Sequence, residues 1–302
     1  MKKRFCRRAS SGLLAGLVLA GSALLTLTLD SGTAAADTAP VATSGFYLAL
    51  GASASVGFQP TQTAPHGEVT DDGYANDVVA YESSRGVTLS LTQLGCPGES
   101  TPTMVSGEDH CYDGDGSQLA DAVAFLESRR NEAGLVTVDL GFNDLHACLL
   151  ESPVSAACVN TEMDTIAEQL PSILSTLQAA AGPQVTFVGM DHYNPYLADA
   201  IHPSWGKAYA NRSKVLLADL NEELSSIYAG AGIAMAQVSQ YFTSYGPSRG
   251  HLRLGDVSSD VIRTCDLTWM CAAKPYGPNM HPNDQGYAMI AAAIESQLPE
   301  PW

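Results

Sequence analysis

The sequence is poor in positive charge. Among its 302 residues, 15 are Lys or Arg and 32 are Asp or Glu, which gives a formal net charge of −17. A surface that binds nucleic-acid phosphates needs clustered basic side chains, so this balance argues against a nucleic-acid partner, and we expect none. The same negative charge disfavours docking on anionic lipid. With 16% charged residues, 27 Gly and 16 Pro, the chain is also unlike a coiled coil or a disordered polyelectrolyte.

Several motifs of metal and cofactor sites are missing as well. The sequence has no C-x-x-C knuckle, no paired His at ligand spacing beside a Cys and no glycine-rich loop of the phosphate-binding type. The short acidic stretch Asp113–Gly116 lacks the alternating carboxylates and the distal Glu of an EF-hand, so it is interpreted as a solvated turn. We therefore expect neither a metal nor a cofactor.

The first 36 residues have the three parts of a secretory signal. Basic residues occupy the start, an apolar run extends from Leu13 to Leu29, and Ala34–Ala36 supplies an A-x-A cleavage site. The alternative, a membrane anchor, is less favoured because the cleavage site stands where a peptidase needs it. We expect residues 1–36 to be removed, residues 37–302 to form one domain and the protein to be secreted without a stable membrane anchor. Losing five cations and one anion lowers the formal charge from −17 to −21.

Six cysteines remain after the signal, as three pairs of close neighbours. An oxidising compartment favours disulfides between them. Six cysteines allow 15 connectivities, and short loops favour pairing each Cys with its sequence neighbour. The predicted bonds are Cys96–Cys111, Cys148–Cys158 and Cys265–Cys271.

Apolar periodicity predicts alternating strands and helices, which is typical of an α/β fold with a parallel sheet covered on both faces. The predicted strands are Phe46–Leu50, Val87–Leu94, Leu135–Leu140, Val185–Met190 and Ile233–Val238. The predicted helices are Tyr74–Ser83, Ser117–Arg130, Met163–Ala181, Ala208–Ala229 and Asp284–Leu298. We expect a Gly/Pro-rich loop over Tyr245–Pro282. In such a sheet, we expect the catalytic and binding residues in the loops beyond the carboxyl ends of the strands.

Four of these loops contain residues that could take part in catalysis. Ser53 follows the first strand on a tight turn and could be a nucleophile or a helix cap. Gly98 could present a backbone N–H, and Asn143 a side-chain amide, to a developing oxyanion, although both also suit ordinary turns. His281 could serve as a general base, or it could simply be solvated.

Taken together and in order, these segments resemble the motifs of the SGNH/GDSL hydrolase superfamily. Gly51–Gly57 matches the first block with Ser53 at the nucleophile, Gly98 matches the second, Gly141–Asp144 matches the G-x-N-D of the third, and His281 matches the fifth. The likeness extends from about Phe46 to about Ala292. With its three cysteine pairs, the chain is similar to the secreted actinobacterial esterases and lipases of that superfamily.

The resemblance implies a fold and a set of roles. The fold is a three-layer α/β/α sandwich, flavodoxin-like, around a five-stranded parallel sheet. Ser53 is implied to attack an ester carbonyl after His281 accepts its proton. The Ser53 and Gly98 backbone N–H groups and the Asn143 side chain are implied to form the oxyanion hole.

Two positions depart from the superfamily's motifs. Ala52 replaces the acid of the first block, and Pro278 stands where the fifth block has the Asp that precedes the histidine. Since a histidine base needs an acceptor for its second ring N–H, we favour the Pro278 backbone carbonyl, which gives a Ser–His dyad. The alternative is a distant carboxylate from one of four residues, Asp256, Asp260, Asp266 and Asp284.

The sequence thus predicts a secreted, monomeric carboxylic-ester hydrolase, an esterase, lipase or phospholipase, whose partner is a small-molecule or lipid ester. Removal of acetyl groups from a carbohydrate or polymer by the same site is one alternative. A binding protein without activity on the same fold is another, favoured by Ala52 and Pro278 alone.

Overall fold

Five parallel strands form the single sheet found in the described residues, in the order β2-β1-β3-β4-β5. A computed structural model describes residues 44–108, 111–112, 116–151, 153–201, 206–242 and 258–299. The strands are β1 (Ser44–Gly51), β2 (Thr88–Gln93), β3 (Gly134–Asp139), β4 (Val185–Met190) and β5 (Ala234–Ala236). The predicted parallel sheet is confirmed, and each predicted strand overlaps an observed one.

Helices flank the sheet along the chain. They are α1 (Tyr74–Ser84), α2 (Thr101–Ser106), α3 (Gln118–Ser128), α4 (Phe142–Leu149), α5 (Ala156–Ala180), α6 (Gly206–Gly230), α7 (Val238–Tyr241), α8 (Ser259–Leu267) and α9 (Asp284–Glu295). Short 3₁₀ helices span Ser53–Val56, Pro195–Ile201 and Trp269–Cys271.

Alternating side chains of β1 divide the core into two halves, since successive residues of a strand point to opposite faces. Phe46, Leu48 and Leu50 belong to one buried cluster, together with apolar residues of α3, α5 and α6. Tyr47 and Ala49 belong to a second cluster, with residues of α1 and α9. The three-layer α/β/α arrangement expected from the sequence is therefore confirmed.

The strand register brings the ends of β1 and β3 side by side. Leu50 of β1 is paired with Val138 of β3, and Gly51 with Asp139. Because β1 is also paired with β2 on its other edge, the segments that follow all three strands meet above the middle of the sheet. The motifs containing Ser53 and Asn143 lie there.

Two predictions about secondary structure are corrected. The long helix α5 begins at Ala156, not at Met163. Its first ten residues contain no fully buried side chain, and before Met163 only Val159 packs against the core, so the apolar signal there is weak. The segment Tyr245–Pro282 is not simply a loop, since it contains α8 and the 3₁₀ helix Trp269–Cys271. Helix α8 is short, and its buried face consists of three residues, Val261, Thr264 and Leu267.

All three predicted disulfides are present. They link Cys96 to Cys111, Cys148 to Cys158 and Cys265 to Cys271. The second bond joins α4 to the first turn of α5. The third spans the junction between α8 and the following 3₁₀ helix, so each bond fixes a segment near the carboxyl ends of the strands.

Two predictions fall on residues outside the described ranges. The signal sequence at 1–36 and the turn at Asp113–Gly116, of which only Gly116 is described, stay predictions. Within the described ranges, no helix combines the length and the apolar character that a membrane crossing requires.

Candidate active site

The turn after β1 places Ser53 above the sheet. Gly51 has a φ of +117°, and a Cβ there would lie 2.0 Å from the Asp139 carbonyl oxygen, so only glycine fits. The Ala52 N–H donates to that same carbonyl at 2.9 Å. The chain then enters the 3₁₀ helix at Ser53, which fixes the serine at the carboxyl end of a central strand.

His281 meets Ser53 at this position. The distance between Nε2 of His281 and Oγ of Ser53 is 3.0 Å, within hydrogen-bonding range. The histidine precedes α9, where the Asn283 side chain caps the helix by accepting from the Gly286 N–H at 3.0 Å. The Trp269 N–H donates to the His281 carbonyl at 3.0 Å, so the backbone on this side is held as well.

The second ring nitrogen of His281 is bonded to a residue that sequence reasoning missed. The Asn279 Oδ1 atom lies 2.7 Å from Nδ1 of His281 and also accepts from the His281 backbone N–H at 3.0 Å. A backbone N–H can only donate, so the atom facing it is the amide oxygen, which in turn receives the hydrogen on Nδ1. This tautomer leaves the lone pair of Nε2 directed at the serine hydroxyl.

The expectation that the Pro278 carbonyl orients the ring is corrected by this contact, because Nδ1 has a single hydrogen and Asn279 accepts it. The distant acids that the structure describes do not take this place either. Asp260 pairs with Lys214, and Asp284 accepts from Gln59 at 3.0 Å. Asp256 lies outside the described residues, and Asp266 contributes its backbone carbonyl to a neighbouring asparagine. Among the described residues, the hydrogen-bonded chain is Ser53–His281–Asn279, and no carboxylate contacts the His281 ring in it.

Burial sets the ionisation of His281. Burial, with a smaller contribution from the nearby His146 imidazole, lowers the pKa of His281 to about 4. The ring is therefore neutral at physiological pH, which is the form that can accept a proton.

Two predicted oxyanion donors border the same space. Asn143 lies in the first turn of α4, and one hydrogen of its amide is donated to the Glu99 carbonyl at 2.9 Å. An amide group carries two hydrogens, so the second remains for a ligand. Gly98 has a φ of +92° with open space around its Cα, so glycine is needed there for backbone conformation. Across the ranges that the structure describes, no protein acceptor binds the N–H groups of Ser53 and Gly98.

A buried polar network joins these segments, and sequence reasoning missed it. The Gln118 side chain accepts from the Gly51 N–H at 2.5 Å and donates to the Gly51 carbonyl at 3.0 Å. It also donates to the Glu99 carboxylate at 2.6 Å, while Thr103 donates to the other carboxylate oxygen. Glu99 thus ties the Gly98 turn to the end of β1, and its carbonyl holds Asn143 in place.

The residue after Asn143 anchors α4 to α2. The Asp144 carboxylate is buried and accepts from the Thr101 backbone N–H at 3.1 Å and from the Thr101 hydroxyl at 2.5 Å. Burial raises the pKa of Asp144, and the Thr101 hydrogen bonds oppose that rise. The Asn-Asp pair is therefore the start of a helix anchored by a buried carboxyl group.

A cavity of about 300 Å³ contains these groups. It is at the lower end of the range for small-molecule sites. Its polar lining consists of Ser53, Asn143, His146, His281, Asp139 and His192. Its apolar walls include Ala54, Phe58, Pro97, Phe142, Tyr193 and Met280. The predicted nucleophile, base and oxyanion donors thus face one cavity with apolar and aromatic walls.

Comparisons with known proteins show that this chain is similar to several solved structures. The sequence matches no protein-family model and no curated protein. The chain resembles a phospholipase A1 from Streptomyces albidoflavus NA297, with 19% identity, 84% of this chain and 99% of that chain covered, and a TM-score of 0.56. It resembles an extracellular lipase from Streptomyces rimosus, with 18% identity, 84% and 100% covered, and a TM-score of 0.53. It also resembles Axe2, an acetylxylan esterase from Geobacillus stearothermophilus, with 12% identity, 85% and 94% covered, and a TM-score of 0.52. At these identities the likeness shows a shared fold, the one expected from the SGNH/GDSL resemblance.

Proposed function

We propose that this protein is a secreted serine hydrolase that cleaves carboxylic esters through an acyl-enzyme on Ser53. The observation that carries the proposal is the 3.0 Å contact between Nε2 of His281 and Oγ of Ser53, on a ring oriented from behind by Asn279. A nucleophile within hydrogen-bond reach of a base, with a third group orienting the base, is the arrangement that nucleophilic catalysis requires.

The first half of the reaction forms the acyl-enzyme. The Ser53 hydroxyl gives its proton to Nε2 of His281 while its oxygen bonds to the ester carbonyl carbon. The carbonyl oxygen then carries the negative charge. When the tetrahedral intermediate collapses, the carbon–oxygen bond to the alcohol breaks, and the imidazolium returns the proton to the departing alkoxide.

The second half repeats these steps with water. His281 accepts a proton from the water, the hydroxide oxygen bonds to the acyl carbon, and the bond to Ser53 breaks as its oxygen is reprotonated. The products are a carboxylic acid and the free enzyme. The Nδ1–H of His281 donates to Asn279 throughout, and this bond strengthens when the ring is positive.

The oxyanion in both halves is assigned to the Ser53 and Gly98 N–H groups and to the second amide hydrogen of Asn143. Such preorganised donors cost no reorganisation when charge develops. The network through Glu99 and Gln118 supports this assignment, because it holds two of the three donor segments against the end of β1.

The substrate class proposed is a small-molecule or lipid ester. Aromatic and apolar walls favour an uncharged group beside the reacting carbon. The predicted signal sequence, the three disulfides and the Streptomyces lipase likeness support secretion. A binding protein without activity is less favoured, because it has no need for a serine and a histidine in bonding contact.

An ester panel tests the proposal. We expect the purified protein to hydrolyse 4-nitrophenyl esters of short and medium acyl chains, and Ser53→Ala to lose the activity. Acetylated sugars assayed beside the aryl esters separate the deacetylase from the general esterase. If wild type and Ser53→Ala hydrolyse every member of the panel at the same background rate, the proposal is wrong.

A further inference from the structure

His146 lines the cavity that contains Ser53 but takes no part in the steps above. It lies on α4 three residues after Asn143. Residues three apart are neighbours on one face of a helix, with Cβ atoms about 5–6 Å apart. The His146 imidazole, which is half-buried, therefore borders the cavity one position beyond the predicted oxyanion donor.

Aromatic neighbours hold the His146 ring. It stacks on Phe142, with ring centroids 5.8 Å apart, and the Tyr196 ring lies nearly parallel to both. The Nδ1 atom of His146 is 2.6 Å from the Tyr196 hydroxyl. Tyr196 is only 4% exposed and is not part of the cavity lining. Nδ1 is thus bonded to the protein interior, and Nε2 is the nitrogen left for the cavity.

The Tyr196 hydroxyl determines which nitrogen of His146 carries the hydrogen. In the described part of the chain, Nδ1 of His146 is the one acceptor bonded to this hydroxyl. A buried hydroxyl that donates to nothing costs free energy, so it donates to Nδ1. Burial lowers the pKa of His146, which keeps the ring neutral with its single hydrogen on Nε2. Within the same residues, no protein group is bonded to Nε2.

We propose that His146, positioned by Tyr196, donates a hydrogen bond from Nε2 to a second oxygen of the substrate, so that the site favours esters with an ether or carbonyl oxygen near the scissile bond. This inference rests on the proposed function. An uncharged acceptor fits better than an anion, because an anion would lose its hydration in a cavity with apolar and aromatic walls. The formal charge of −17 also repels anions.

The spacing along α4 limits where the second oxygen can be. An ester whose carbonyl oxygen lies at Asn143 has the Nε2 donor one helix position away. The acceptor oxygen therefore lies a few bonds from the reacting carbon, which a cavity of about 300 Å³ can accommodate. It can belong to the acyl part or to the alcohol part of the ester, and the two sources are separable by experiment.

Two matched substrate pairs provide the test, each replacing one CH₂ group by oxygen. The acyl pair is 4-nitrophenyl 3-methoxypropionate against 4-nitrophenyl pentanoate, and the alcohol pair is 2-methoxyethyl butyrate against butyl butyrate. Dividing each kcat/KM ratio by the ratio of hydrolysis rates in hydroxide removes the electronic effect of the oxygen. A hydrogen bond between neutral groups predicts a corrected ratio of about fivefold in at least one pair.

The two levels of the proposal fail differently. A corrected ratio near one in both pairs, with the plain esters still hydrolysed, would overturn the inference and leave the proposed function intact. No hydrolysis of any ester would contradict the proposed function and the inference with it.

Variants connect the preference to the imidazole. In His146→Phe, which keeps an aromatic ring but removes the donor, the corrected ratio in the preferred pair should fall to about one. If that variant does not fold, His146→Phe/Tyr196→Phe makes the same comparison, because replacing both hydrogen-bond partners by apolar groups of similar shape costs little. Tyr196→Phe alone should also lower the ratio, since the hydrogen of His146 can then occupy either nitrogen.

Tyr209→Phe is the matched control. It removes a buried hydroxyl that donates to the Leu149 carbonyl at 2.6 Å, on a ring that packs edge-on against Tyr196 outside the cavity lining. The corrected ratio should stay at the wild-type value there. A ratio that stays high in the His146 variants, is unchanged in Tyr196→Phe or falls equally in Tyr209→Phe would overturn the assignment.

Discussion

Asn279 occupies the place that a carboxylate holds in a Ser-His-Asp triad, and replacing it with aspartate tests that interpretation. The Oδ1 atom of Asn279 is 2.7 Å from Nδ1 of His281. Asn279→Asp keeps the size and the accepting oxygen but adds a full negative charge beside the ring. A carboxylate this close favours the imidazolium, so the pKa of His281 should rise from its value of about 4.

The size of the expected pKa shift of His281 follows from the separation between the aspartate and imidazolium charges. With about 4 Å between charge centres and an effective dielectric constant of about 20, the attraction is at most about 4 kcal/mol, or about 3 pKa units. Opposite charges at this distance usually shift a pKa by about 1–3 units. The acid limb of kcat/KM should therefore move from about pH 4 to between about pH 5 and pH 7.

The companion variant Asn279→Ala removes the acceptor. A hydrogen bond to a charged group is worth about 1 kcal/mol more than a neutral one, so kcat should fall by at least about fivefold. The assay is the pH dependence of kcat/KM on a 4-nitrophenyl ester, with far-UV circular dichroism as the folding control. An unchanged acid limb in Asn279→Asp, together with full activity in Asn279→Ala, would refute the role of Asn279.

Two further predictions concern the same site, and a third concerns the disulfide between α4 and α5. In Asn143→Ala, kcat should fall by about 10²–10³ with little change in KM, since one oxyanion donor is lost; unchanged turnover in the folded variant would contradict the assignment. In the wild type, kcat/KM should rise with pH through about 4, because His281 is a base only when neutral. If the acid limb of kcat/KM instead lies at the ordinary histidine pKa of 6.5, burial does not lower the pKa of His281. The double variant Cys148→Ser/Cys158→Ser should lower the free energy of unfolding, measured by urea denaturation, by about 3 kcal/mol, because the bond closes a loop of ten residues in the unfolded chain. An unchanged denaturation midpoint would contradict this prediction.

The sheet and the disulfides could be predicted from the sequence because their signals are local. The run Phe46–Leu50 is continuously apolar and Leu135–Leu140 is mostly so, which is typical of strands covered on both faces. Cysteines separated by 6 to 15 positions limit the economical pairings. The start of α5 was missed because its first ten residues contain no fully buried side chain, and α8 was missed because it has only nine residues, too few for a clear periodic pattern.

The site was predictable only where a motif marks it. Ser53 and His281 are 228 positions apart, and their contact at 3.0 Å depends on the whole fold. Asn279 was missed because the superfamily motif directs attention to position 278, whereas the side chain two residues before the histidine reaches the ring. A signal for it existed, since an amide beside a histidine in a carboxylate-poor segment is a possible acceptor.

The polar supports of the site carry no sequence pattern at all. Gln118 lies 67 positions from Gly51, and its role comes from the packing of α3 against β1. Asp139 and His192 are brought together by the pairing of β3 with β4. Such pairs depend on tertiary contacts, so they become visible only in the folded chain.

Ester hydrolysis by the proposed route requires Ser53 to be a nucleophile activated by His281. Labelling with a serine-directed fluorophosphonate, followed by peptide mass spectrometry, measures this property without any choice of substrate. We expect one label per protein molecule on the peptide containing Ser53, with none in Ser53→Ala and slow labelling in His281→Ala. Absence of label in the folded wild type, or label on another residue that persists in Ser53→Ala, would contradict the account.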